Sequence, residues 1–199
     1  FNMVVVVLSD ASLATAQQPF RRPEFSEDWL APPIDQSPVP EGAKPYDWDP
    51  VTGLSRRFLP GQPNGMHTLT GLAHDRSSRV AYDPEINEQG MHARSLKLAA
   101  LQKMLTPPTV FGDPEGDLLV VGWGGTYGAI RGALRRAAED GLVASHVHLR
   151  YLNPFPRNLG EILGRFETIL VPELNLGQLA FLLRGRYLVD ARSLTKVQG

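Results

Sequence analysis

The run Asp-Leu-Leu-Val-Val over residues 117–121 passes directly into Gly-Trp-Gly-Gly-Thr-Tyr-Gly over 122–128, and a helical pattern opens at Tyr127. A strand that ends in glycines and turns into a helix N-terminus belongs to α/β folds, where such turns take up anions or dock partners. The rest of the C-terminal half keeps the rhythm. Ile130, Leu134 and Ala137 form an apolar stripe against Arg131, Arg135 and Arg136 on a helix over 127–140, and Gly141 stands at its C′ position. A strand over 143–150 follows, then a proline-rich turn, a short helix over 159–166, a strand over 168–171, a helix over 176–186 and a last segment over 187–197. Strands alternating with helices predict an α/β fold built on an open parallel sheet with flanking helices.

The N-terminal half reads differently. Residues 3–8, Met-Val-Val-Val-Val-Leu, lack alternation, which suits a parallel strand buried on both faces; Ser9 and Asp10 then stand where they can cap a short helix over 11–18. One strand and one short helix cannot bury themselves, so their sheet is expected elsewhere. Residues 19–63 hold 10 of the 17 prolines, Pro32 and Pro33 among them, which rules out long helices and central strands. Phe20, Phe25, Trp29, Tyr46, Trp48 and Phe58 are scattered through this stretch, more aromatics than a disordered linker carries. The expectation is an irregular segment pinned to a surface by those rings. After a further loop over 64–82, Asp83-Pro84-Glu85 starts a helix to about Leu105, with Met91, Leu98, Leu101 and Leu105 on one face and Pro107-Pro108 as its stop.

Composition removes several function classes. A net charge of −1 leaves no electrostatic footprint for nucleic acid or an anionic membrane. With no cysteine, the chain has no disulfide, no thiolate zinc site and no iron–sulfur cluster of its own. No apolar run approaches the ~20 residues of a membrane span, and the start lacks the basic flank of a signal peptide. Neither end looks native: the chain begins without Met in a core-like run and stops without a charged tail, so it reads as a piece of a longer protein.

The candidate site residues lie in the turns. The glycine loop is no dinucleotide fingerprint, because Tyr127 occupies the place of its third glycine and no acid follows about 20 residues on; it also lacks the lysine of a phosphate-binding P-loop. Two readings stay open, a tight turn with Thr126 as N-cap, or a loop that faces a ligand or another subunit. Asn153 occupies a second such turn, and Glu173 and Asn175 a third, where Asn175 also suits a helix cap. In parallel sheets the loops beyond the carboxyl ends of the strands line the binding crevice, so Gly124, Gly125, Thr126, Asn153, Glu173 and Asn175 are expected along one edge. His146 and His148, two apart on a strand, share a face, either as a metal pair without a third ligand or as a half-exposed strand pair. His67, His74 and Asp75 share a loop region without the spacing of a known metal motif. No Ser-His-Asp set, activated thiol or paired carboxylates stand out.

Four phrases together resemble the α subunits of 2-oxoacid:ferredoxin oxidoreductases, and within them the 2-oxoglutarate enzymes (2-oxoglutarate synthase). They are the glycine turn, His-Leu-Arg-Tyr-Leu-Asn-Pro-Phe-Pro-Arg-Asn-Leu-Gly over 148–160, Val-Pro-Glu-Leu-Asn-Leu-Gly-Gln-Leu over 171–179, and Tyr-Leu-Val-Asp over 187–190. Leu-Ser-Asp-Ala-Ser-Leu-Ala over 8–14 and Gly-Leu-Ala-His-Asp over 71–75 match in order, so the resemblance spans nearly the whole chain.

The resemblance implies that residues 1–22 end a pyrimidine-binding thiamine diphosphate domain. Residues 23–109 become a connection carrying one helix near 84–105, and 110–199 a transketolase C-terminal-like domain (domain II of the pyruvate:ferredoxin enzymes). It further implies a cytoplasmic assembly with a β subunit and self-association of αβ units. That assembly carries thiamine diphosphate, Mg2+ and a [4Fe-4S] cluster, and works with ferredoxin and coenzyme A. The family's substrate motif and activating glutamate are absent here, so no catalytic residue transfers to this chain and no cofactor is expected on it alone. Three readings follow: an inactive piece of such a subunit, a subunit-contact module that shapes the coenzyme A entrance, or a stand-alone nucleotide-binding α/β domain.

Overall fold

The computed structural model describes residues 1–9, 11–30 and 33–197. Two compact units emerge, one of residues 1–5 and 17–101, the other of 6–16 and 102–199.

The first unit is mostly irregular, as its prolines require. Among the described residues before 84, its only regular elements are a 3-10 turn at Glu27–Trp29 and an isolated antiparallel bridge between His74 and Val80. Val39 and Phe58 are buried, Tyr46 and Trp48 are half-buried, and Tyr46 stacks on His74 at 5.2 Å. Phe20, Phe25 and Trp29 are exposed instead, so only the rings from Tyr46 onward act as anchors. Pro32 and the expected cap Asp10 lie outside the described residues.

Helix α2 runs Pro84–Met104, and Asp83 caps it by accepting from the amides of Glu85 (2.9 Å) and Ile86 (3.2 Å). Its buried residues are Gly90 and Ala93; of the four residues expected on one face, Leu98, Leu101 and Leu105 are half-buried and Met91 is exposed. The reason is close approach: the turn at Gly53 lies against the backbone at Ala93, where only small residues fit.

The apolar run over 3–8 forms no strand, and Val4 is 88% exposed. A buried strand needs neighbours on both edges, and none of the described residues pairs with this one. Helix α1 is shorter than expected, Ala11–Thr15.

The second unit is a five-stranded sheet in the order β1-β3-β2-β4-β5. Strands β2 (Gly116–Trp123), β3 (Ser145–Leu149), β4 (Phe166–Glu173) and β5 (Ala191–Thr195) are parallel, as the alternation predicted. The two-residue β1 (Val110–Phe111) adds an antiparallel edge. Helices α3 (Tyr127–Glu139), α4 (Leu159–Leu163) and α5 (Gln178–Tyr187) complete it. Helix α4 stops before 166 because Phe166 is buried at the start of β4. Leu119, Val121, Val147, Leu149, Ile169 and Val171 share one face and form the core with Leu159, Ile162 and Leu163 of α4 and Leu179 and Leu183 of α5. The opposite face, with Val120, Gly122, His146 and His148, receives Ile130 and Tyr127 of α3. Among the described residues no helix is long and apolar enough to cross a membrane.

Candidate functional site at the carboxyl edge of the sheet

Because β2, β3 and β4 are parallel, their carboxyl ends and the loops that follow fall on one edge. After Trp123 the chain makes a 3-10 turn, Gly124–Thr126, and enters α3. The Thr126 hydroxyl does not cap the helix. It donates back to the Trp123 carbonyl (2.7 Å) and accepts from the Trp123 amide (3.2 Å), because the 3-10 turn folds residue 126 back over the strand end. Gly122 is glycine for space: a Cβ there would sit 2.4 Å from Ile130 Cδ1 and 3.1 Å from His148 Nδ1.

The strongest feature of the edge is Glu173, the last residue of β4 and only 2% exposed. Its Oε1 accepts from Trp123 Nε1 (3.3 Å), Asn175 Nδ2 (3.0 Å) and the Leu179 amide (2.9 Å), and its Oε2 accepts from the Ala180 amide (3.1 Å). A buried carboxylate is costly unless its lone pairs are met, and here four donors and the positive end of α5 meet them. Asn175 Oδ1 accepts from the amides of Gly177 (2.7 Å) and Gln178 (3.2 Å), so it caps a helix that begins two residues later than expected. Between these inward groups Leu174 is 56% and Leu176 82% exposed.

The glycine turn and the 173–177 loop are thus joined directly. Asn153 is not: it is exposed, precedes a cis peptide to Pro154 and, among the described residues, makes no hydrogen bond to either loop. Sequence reasoning missed Trp123 as a working residue, since its partner lies 50 positions away.

His146 and His148 do share a face, but they are not a half-exposed pair. His146 is fully buried among Phe111, Tyr127 and His148, and neither ring nitrogen has a hydrogen-bond partner among the described residues. Burial, then the neighbouring His148 and Arg131, lowers its pKa to about 4. His148 Nε2 lies 3.2 Å from the Gly124 carbonyl, which fixes the tautomer with the proton on Nε2; burial lowers its pKa as well. His146 takes up a proton more readily unfolded than folded, so stability should fall as pH drops from about 6.5 toward 4 and level off below. That amounts to up to about 3 kcal/mol. Urea unfolding of the chain and of His146→Leu across pH 7 to 4 checks this, and parallel pH profiles contradict it.

His67, His74 and Asp75 do not form a cluster. His67 meets the Gly65 carbonyl, His74 is within 3.1 Å of the Thr70 hydroxyl, and Asp75 accepts from the amides of Ser77 and Arg79. Two adjoining open cavities of about 270 and 670 Å3 run along α2 in this unit, sharing Trp48, Arg76 and Gln89.

No protein-family model matches the chain. The 2-oxoglutarate oxidoreductase subunit KorA of Mycobacterium tuberculosis is 42% identical over 205 residues, an alignment covering 100% of this chain and 30% of that protein. The 2-oxoacid:ferredoxin oxidoreductase 1 subunit alpha of Aeropyrum pernix is 32% identical over 197 residues, covering 89% of this chain and 29% of that protein. Among solved structures, the 2-oxoglutarate:ferredoxin oxidoreductase from Magnetococcus marinus, with 2-oxoglutarate, coenzyme A and succinyl-CoA bound, superposes with a TM-score of 0.72 at 26% identity. That match covers 79% of this chain and 28% of the other. The chain therefore spans less than a third of the length of the proteins it matches. Along its whole length it is related to the α subunits of the 2-oxoacid:ferredoxin oxidoreductases, the 2-oxoglutarate enzymes among them.

Proposed function

We propose that this chain is part of the α subunit of a thiamine-diphosphate-dependent 2-oxoglutarate:ferredoxin oxidoreductase that works in the cytoplasm with a β subunit. The observation that carries this is the 42% identity to a 2-oxoglutarate oxidoreductase subunit across all of the chain. In the reaction the 2-oxoacid loses carbon dioxide, its acyl group passes to the coenzyme A thiol, and two electrons pass to ferredoxin.

The chain has no cysteine to ligate the iron of a cluster. The thiamine, magnesium and cluster sites are assigned to other parts of the enzyme, and no catalytic step is routed through this chain.

Its own role is the carboxyl edge. Gly124, Gly125, Thr126, Glu173 and Asn175 hold a surface that meets the partner subunit and borders the coenzyme A entrance. Leu174 and Leu176, apolar and outward on a loop fixed from beneath, support this reading. Residues 110–199 form the accessory domain, and residues 1–22 contribute to a neighbouring pyrimidine-binding domain. Assembled with its partner subunit, the full-length protein should reduce ferredoxin when given 2-oxoglutarate and coenzyme A, and the 199-residue chain alone should not. Turnover by the chain alone overturns the assignment of the chemistry to other regions.

A further inference from the structure

Glu173 does more than a helix cap requires. Asn175 already serves, through Oδ1, the amides of Gly177, which precedes α5, and of Gln178, its first residue. Glu173 takes the next two, at Leu179 and Ala180, and reaches across the edge to the Trp123 indole. Trp123 is in turn bound through its own amide and carbonyl to the Thr126 hydroxyl, and the Gly124 carbonyl is held by His148. One carboxylate therefore stands at the junction of two loops that are 50 residues apart in sequence.

We infer that Glu173 is a positioning residue that locks the glycine turn and the 173–177 loop into one rigid rim. Whatever engages residues 124–126 then meets Leu174 and Leu176 at a fixed place. Trp123 is the link between the two loops. This rests on the reading of the edge as a contact surface, but the coupling itself is testable apart from it.

The test is hydrogen exchange on the full-length protein, read at peptides covering 122–127 and 176–182. Glu173→Leu removes all four acceptor contacts, and both peptides should exchange about tenfold faster or more. Asn175→Ala should accelerate only the second peptide. Trp123→Phe, which leaves the cap of α5 intact, should accelerate only the first, and it keeps the question open to refutation if Glu173→Leu does not fold. If Glu173→Leu opens 176–182 and leaves 122–127 unchanged, or Trp123→Phe leaves the first peptide unchanged, Glu173 is a cap and the inference fails. Affinity for the partner subunit is measured on the same variants. Coupling with unchanged affinity supports the rigid rim while retiring the contact-surface reading.

Discussion

Glu173→Ala should lower the unfolding free energy of the sheet unit by about 3–5 kcal/mol, the range for removing one partner of a buried, fully hydrogen-bonded charge. The substitution orphans the amides of two buried residues, Leu179 and Ala180, at the first turn of α5, and frees the Trp123 indole and the Asn175 amide. It also removes a negative group from the positive end of that helix. Glu173→Gln keeps an oxygen that can hold the three Oε1 contacts and places an amino group against the Ala180 amide, so it should cost less, about 1–2 kcal/mol. Urea unfolding followed by far-UV circular dichroism checks both. Equal losses for the two variants, or a loss under about 1 kcal/mol for alanine, would show that water replaces the carboxylate without penalty.

The second large effect lies in the first unit. Gly53 has φ +66°, and a Cβ added there would stand 2.1 Å from the Ala93 carbonyl oxygen and 3.0 Å from the Lys97 amide nitrogen, both backbone atoms of α2. Backbone cannot step aside as a side chain tip can. Gly53→Ala should therefore cost about 3 kcal/mol or more, of which the left-handed conformation accounts for about 1. Gly61→Ala is the control. Its φ is +87° and, among the described residues, nothing lies within 4 Å of the added carbon, so only the conformational part should appear. The difference between the two variants in urea unfolding, read from the half-buried Trp48, isolates the contact. If the variants are equally stable, the turn does not press on α2 as described.

Much of the sheet unit was legible because its signals are local. The apolar run over 117–121 lies within the strand Gly116–Trp123, and Gly141, with φ +82°, ends α3 where a left-handed residue is needed. Asp83 announced α2 through its own side chain. What stayed hidden depends on partners far along the chain. The burial of His146 is decided by Phe111 and Tyr127, and the inner face of α2 by the turn at Gly53. Residues 3–8 have the composition of a core strand, but composition cannot supply the strands beside it. At the candidate site, the parallel order predicted which loops share an edge, whereas the tie that Glu173 makes between two of them spans 50 positions and Asn153 stands apart.

The most direct measurement is the steady-state rate of ferredoxin reduction by the full-length protein assembled with its partner subunit, comparing 2-oxoglutarate with pyruvate and each with and without coenzyme A. The account predicts reduction that requires both a 2-oxoacid and coenzyme A, faster with 2-oxoglutarate than with pyruvate. No 2-oxoacid-dependent reduction by the assembled enzyme would contradict it, and a preference for pyruvate would contradict the choice of substrate.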